Sequence, residues 1–182
     1  MPDIPKDLSN ITAARLIEML DLAPLPWEGG YYRETWRSNV SIPQPALGAE
    51  YDGPRAAGTS IYYMLTSETV SKMHRLPSPE TFHFYMGEPV EMLLLHAQIS
   101  DTVVFGQDIM VGQKLQFTVP GMVWMGARLL PAVPGSALPG HGFALMGTTV
   151  APGFDFDDLE MGDGDSLAYA YPDDAPLIRA LS

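Results

Sequence analysis

The segment His74-Arg-Leu-Pro-Ser-Pro-Glu80-Thr-Phe-His83-Phe-Tyr-Met-Gly87 sets the architecture. Two runs rich in strand-forming residues, Val70–Leu76 and Thr81–Met86, flank a Pro-Ser-Pro turn, so the segment reads as strand–turn–strand. It also carries the densest polar cluster in the chain, two histidines and a carboxylate on neighbouring strands. Converging, these groups would form a 2-His-1-carboxylate face for a divalent metal. Alternatively, His74 serves as a general base whose tautomer a nearby carboxylate fixes. Side chains alternate along a strand, so Glu80 and His83, three apart, face opposite sides unless a bulge intervenes or Glu80 sits in the turn. A histidine set among aromatics, as His83 is, reads equally well as a packed, hydrogen-bonded residue of the core.

The same short-strand pattern extends in both directions. Strands are expected at Tyr31–Arg37, Thr59–Leu65, Val90–His96, Thr102–Phe105, Leu115–Val119, Val123–Leu130 and Gly142–Val150, making nine with the two above. Gly58, Pro77, Pro79, Gly87, Pro89, Gly106, Gly112, Pro120 and Gly121 punctuate them. Such spacing predicts an all-β closed barrel or double-sheet jelly roll, without βαβ alternation. One helix precedes it, over Ile11–Leu22, where Ala13, Leu16, Ile17 and Leu20 repeat at i, i+3, i+4 and i+7. Ser9 or Asn10 would cap it, Pro24 and Pro26 stop it, and it serves as a lid or packing helix. Pro43–Gly53 and Pro131–Gly140 read as loops. The chain is therefore partitioned as a single domain, 1–182: a helix at 8–22, a barrel at 27–150, and an acidic loop with a surface-wrapping tail at 151–182.

Composition narrows the chemistry. The 182 residues are 46% hydrophobic and 18% charged, sufficient for a folded core. The absence of cysteine excludes disulfides, thiolate metal sites and cysteine nucleophiles. A net charge of −12 with no basic stripe argues against nucleic acid as a partner. No apolar run approaches the roughly 20 residues of a membrane helix, and the N-terminal residues lack a secretion-signal pattern, so a soluble cytoplasmic protein is expected. Phosphate-cradling, dinucleotide, zincin and serine-hydrolase motifs are all missing. His96 and His141 read as structural. Asp155, Asp157, Asp158, Glu160, Asp163 and Asp165 crowd one stretch. A calcium loop needs glycine at its sixth position, where Glu160 stands, so a solvated acidic loop is expected.

The spacing of His74, Glu80 and Gly87 resembles the first cupin motif, G(x)5HxH(x)3–4E(x)6G. More specifically, the chain resembles the DUF985 cupins through several ordered blocks. These are Pro26-Trp-Glu-Gly-Gly-Tyr-Tyr-Arg-Glu34-Thr, Ser60-Ile-Tyr-Tyr-Met-Leu65, His74 through Gly87, and Pro89-Val-Glu-Met-Leu-Leu-Leu95. Gln116-Phe-Thr-Val-Pro-Gly121, Trp124 and Ala151-Pro-Gly-Phe-Asp-Phe156 follow, so the resemblance covers nearly the whole chain. It implies a cupin double-stranded β-helix and a homodimer. The departures concern metal: the second histidine of the first motif falls on Leu76, and that of the second motif on Met125. Leu76 cannot ligate and a thioether suits hard divalent ions poorly, so no metal is favoured; a divalent ion would have to rely on His74, Glu80 and His83.

Gly30-Tyr-Tyr-Arg-Glu34 and the strand ending in His74 are also similar to segments of dTDP-4-dehydrorhamnose 3,5-epimerases, cupins that need no metal and use a histidine base. That likeness implies His74 as the base, with Tyr32, Glu34 and Trp124 lining a sugar or nucleotide-sugar site. Glu80 would assist, His83 would contact substrate, and Tyr63 would donate a proton unless it is simply a packed strand residue. Three functions stand side by side: an epimerase- or isomerase-like enzyme without cofactor, a non-catalytic binder or sensor of a small polar molecule, and a metal-dependent cupin enzyme.

Overall fold

The computed structural model describes residues 11–97, 99–130 and 142–182. Its strands are β1 (Ala23–Pro24), β2 (Tyr31–Arg37), β3 (Ser41–Ile42), β4 (Arg55–Ala56), β5 (Thr59–Thr66), β6 (Ser71–Arg75) and β7 (Glu80–Gly87). They continue as β8 (Val90–Leu95), β9 (Ser100–Phe105), β10 (Gln116–Val119), β11 (Trp124–Leu129), β12 (Phe143–Val150) and β13 (Glu160–Met161). All nine strands expected from the sequence are present, their ends displaced by two residues or fewer. They form a six-stranded sheet, β1-β2-β5-β12-β7-β10, and a five-stranded sheet, β13-β6-β11-β8-β9. Neighbours within both sheets run antiparallel, and β3 pairs with β4 in a separate two-stranded sheet. The result is a mostly β, double-sheet jelly roll, one of the two architectures that the turn spacing predicts.

Period-two alternation fills the space between the sheets. Tyr63 and Leu65 of β5, Phe82 and Phe84 of β7, and Met92 and Leu94 of β8 point into one buried cluster. Each such side chain contributes about 1.5–3 kcal/mol on burial. The intervening residues of β8, Leu93 and Leu95, are buried on the other face. That explains the uninterrupted apolar run Met92–Leu95: the strand is covered on both sides.

The tail covers the outer face of β8. It contains two helices, α2 (Gly164–Ala170) and α3 (Ala175–Ala180). Leu167, Ala168, Ile178 and Leu181 from this segment pack on Met73, Leu93 and Leu95. Both helices are shorter than two full heptads, so their periodicity was too brief to read. The acidic stretch is not simply solvated either. Asp158 forms a buried ion pair with Arg55, Glu160 pairs with Arg75, and Asp155 and Asp163 cap the turns that follow them.

The N-terminal helix spans Ala13–Met19 and is shorter than the periodicity suggests. Thr12 caps it, accepting from the Arg15 N–H, while Ser9 and Asn10 lie outside the described residues. Leu16 and Leu22 pack with Met64, Phe143 and Leu145 on the outward face of the six-stranded sheet, so this is a packing helix. Among the described residues no helix is long and apolar enough to cross a membrane.

Candidate functional site

Between the sheets lies a cavity of about 280 Å³. Inward positions of β2 supply Tyr32, Glu34 and Arg37; β5 supplies Thr59, Ile61 and Tyr63; β12 supplies Thr148 and Val150. His74 comes from β6, with Leu76 just beyond it, and Glu80 and Phe82 come from β7. Leu25, Glu28, Phe154 and Phe156 close it from loops. The presence of both Glu34 and Arg37 depends on a bulge. The register of β2 on β5 shifts between Glu34 and Trp36, which places two residues three apart on one face. Arg37 then donates from Nη2 to Glu34 Oε2 at 2.7 Å and from Nη1 to the Phe154 carbonyl at 3.0 Å.

His74 is 2% exposed. Its Nδ1 lies 2.7 Å from the Lys72 carbonyl oxygen, which can only accept, so Nδ1 carries a proton. Nε2 is left facing the cavity, 3.9 Å from Glu28 Oε2 and beyond hydrogen-bond reach of it. Glu28, also buried, belongs to a tight loop in which Trp27, Gly29 and Gly30 all have positive φ. A Cβ on Gly29 would fall 2.4 Å from the Val70 carbonyl oxygen, so this close approach requires glycine. Two bonds strap the loop to β6: Ser71 Oγ donates to Glu28 Oε1 at 2.9 Å, and the Lys72 N–H donates to the Glu28 carbonyl at 2.9 Å. Lys72 thereby holds the backbone of Glu28 through its N–H and the ring of His74 through its carbonyl.

Glu80 is 7% exposed. Burial, reinforced by the Glu28 charge, raises its pKa to about 7, although His74 and Thr148 pull the other way. Tyr63 is fully buried and donates to the Gly29 carbonyl at 3.1 Å. Burial and the nearby Glu28 hold it well above the ordinary phenol range, so it stays protonated and ties β5 to the same loop.

The structure thus gathers His74, Glu80, Tyr63, Tyr32 and Glu34 around one space. It does not bring His83 or Trp124 there. Glu80 and Phe82 point inward and β7 is regular between Glu80 and Phe84, so parity turns His83 outward, where Nε2 lies 3.1 Å from Thr149 Oγ1. Trp124 pairs in register with outward-facing Leu95 and stacks under the Arg75 guanidinium, 4.4 Å from the ring centroid. Neither residue, expected from the sequence to contact substrate, lines this cavity. His141 lies outside the described residues. Sequence reading missed Glu28, Arg37, Thr148, Phe154 and Phe156. For Glu28 a signal existed, a carboxylate among tight-turn residues in Trp27-Glu-Gly-Gly; for Phe154 and Phe156, two phenylalanines in an acidic stretch.

The donor set does not fit a cupin metal. Leu76 lines the cavity and Met125 is buried opposite His74 in register, so two of the four ligand positions offer no hard donor. His83 cannot substitute, since it lies on the other face of its strand. Among the described residues no three His, Asp or Glu side chains are grouped to hold an ion.

Comparison with known proteins agrees with this architecture. A family model described as "Cupin superfamily (DUF985)" matches residues 14–162. A hypothetical protein from Leishmania major superposes with a TM-score of 0.81 at 31% identity, over 94% of this chain and 99% of its own. A crystal structure from Shewanella oneidensis gives 0.78 at 29% identity, over 94% and 98%. No curated protein matches the chain.

Proposed function

The chain belongs to the DUF985 family of the cupin superfamily, and from that premise we propose that its cavity binds a small hydroxylated, carbohydrate-like molecule and moves a proton on it. One observation carries this reading: His74 is held by Nδ1 while Nε2 faces an enclosed, aromatic-walled space beside a carboxylate. Fixing one nitrogen aims the other, and the Glu28 carboxylate stabilises the imidazolium that forms when Nε2 accepts a proton. The supported step is removal of a proton from carbon next to a carbonyl. The C–H bond breaks, its electron pair passes to the carbonyl oxygen, and the proton goes to Nε2. Glu80, with a pKa of about 7, is partly protonated near neutral pH and hydrogen-bonds the developing enolate oxygen. Return of a proton to the opposite face of that carbon restores the carbonyl with no net oxidation, which is epimerisation; return to the same face is exchange alone.

A second reading, binding without turnover, is favoured by Tyr63, whose proton is directed at Gly29 rather than into the cavity. The experiment is proton-exchange NMR in D2O with a panel of aldoses, ketoses and keto-sugars, on wild type and His74→Ala. Catalysis predicts exchange next to the carbonyl, slowed by about a hundredfold or more in His74→Ala while the same sugar still raises Tm. Exchange at the wild-type rate in the variant overturns His74 as the base. Binding by both proteins with no exchange in either leaves the binder.

A further inference from the structure

We infer that this cavity selects a cationic, amine-bearing ligand over neutral or anionic molecules of the same shape. The inference deepens the carbohydrate-like reading above and rests on it. Among the described residues, three carboxyl groups line the cavity, Glu28, Glu34 and Glu80, against one guanidinium, Arg37, and one imidazole, His74, and no lysine lines it. Arg37 is neutralised by Glu34, which its Nε and Nη2 grip together. What remains is two carboxyl groups and one imidazole. Counted by group, the lining therefore holds one more carboxyl group than basic groups.

The walls agree with that sign. Tyr32, Phe82, Phe154 and Phe156 present aromatic groups to the cavity, and ring faces attract ammonium groups. Phe154 and Phe156 pack edge to face, centroids 5.0 Å apart, and Trp27 packs on Phe156 at 5.7 Å, so these walls are braced. Asp155 and Asp157 flank Phe156, and neither is in an ion pair among the described residues. A phosphate would meet carboxylates with no uncommitted cation among the described lining residues, and would lose its hydration without replacement. A nucleotide-linked sugar is therefore disfavoured by charge, and an amino-sugar-like molecule favoured.

The test is calorimetric titration near pH 7 with glucosamine, glucose and glucose 6-phosphate, which share one ring and differ in charge. Glucosamine is expected to bind about tenfold tighter than glucose, and glucose 6-phosphate weakest. Glu28→Gln, which retains the Ser71 hydrogen bond, is expected to narrow the glucosamine advantage; if that variant misfolds, Glu80→Gln compared with wild type at pH 8, where Glu80 is ionised, is expected to do the same. Glu34→Gln sits at a half-exposed position and frees the Arg37 charge, so its affinity for glucose 6-phosphate is expected to rise. Equal binding of all three by wild type, or tightest binding of glucose 6-phosphate, overturns charge selection and leaves the carbohydrate-like reading standing. Binding of none overturns that reading, and charge selection with it. Unchanged affinities in Glu34→Gln overturn the assigned role of the Glu34–Arg37 pair.

Discussion

Glu80 and His74 are the residues whose surroundings most alter their chemistry. Glu80 keeps its proton to about pH 7 in the fold, against 4.5 for the free side chain. Its folded pKa is raised, so the native state binds the proton more tightly than the unfolded chain. Stability from this group therefore falls as pH rises from about 4.5 to 7 and is level above. The integrated effect is about 3 kcal/mol in order of magnitude. Glu80→Gln removes that dependence. Melting curves at pH 5 and pH 8 should show a smaller difference in the variant, and the variant should melt higher than wild type at pH 8. A variant with an unchanged pH profile would remove Glu80 as the source. The sequence offered the residue pair but not this environment: nothing in Pro79-Glu80-Thr81 records that Glu28, fifty-two positions earlier, lies nearby.

At the level of elements, the loop before β2 and the C-terminal helices have separable roles. Gly29→Ala would force a side chain onto the Val70 carbonyl at positive φ. A loss of more than about 2 kcal/mol in urea denaturation is expected, together with weakened ligand binding because Glu28 is displaced. Ile178→Ala should cost a comparable 2–4 kcal/mol, about that of other large-to-small core changes. Ile178 packs on the outer side of the five-stranded sheet, so ligand affinity in the folded fraction should be unchanged. Equal loss of affinity in both variants would show that the two faces are not independent. The strands were legible because alternation and Gly/Pro punctuation are local signals. The bulge at Thr35 was not, since a shifted register is a property of two strands together.

For the whole molecule, charge is the governing feature. A net charge of −12 and an acidic stretch beside the cavity create a negative field at its mouth. Raising NaCl from 20 to 500 mM should therefore weaken glucosamine binding several-fold while glucose binding stays constant. An identical salt response for the two ligands would mean that the field plays no part in selection. The acidic stretch also shows why composition alone misleads: Asp158 and Glu160 look like solvated charge until Arg55 and Arg75 are brought against them.

By itself the sequence determined an all-β barrel or jelly roll, its nine main strands to within two residues, the lack of thiol chemistry, and the alternation that separates Glu80 from His83 in a regular strand. Each follows from short-range rules: alternation every second residue, fixed φ at proline, freedom at glycine, and the presence or absence of a donor atom. Only the tertiary structure decided that Glu28 faces His74, that Arg37 is neutralised by Glu34, that Trp124 lies outside the cavity, and that the tail completes a second core. Burial and pairing depend on which distant segments meet, and no local pattern in the chain encodes that distance.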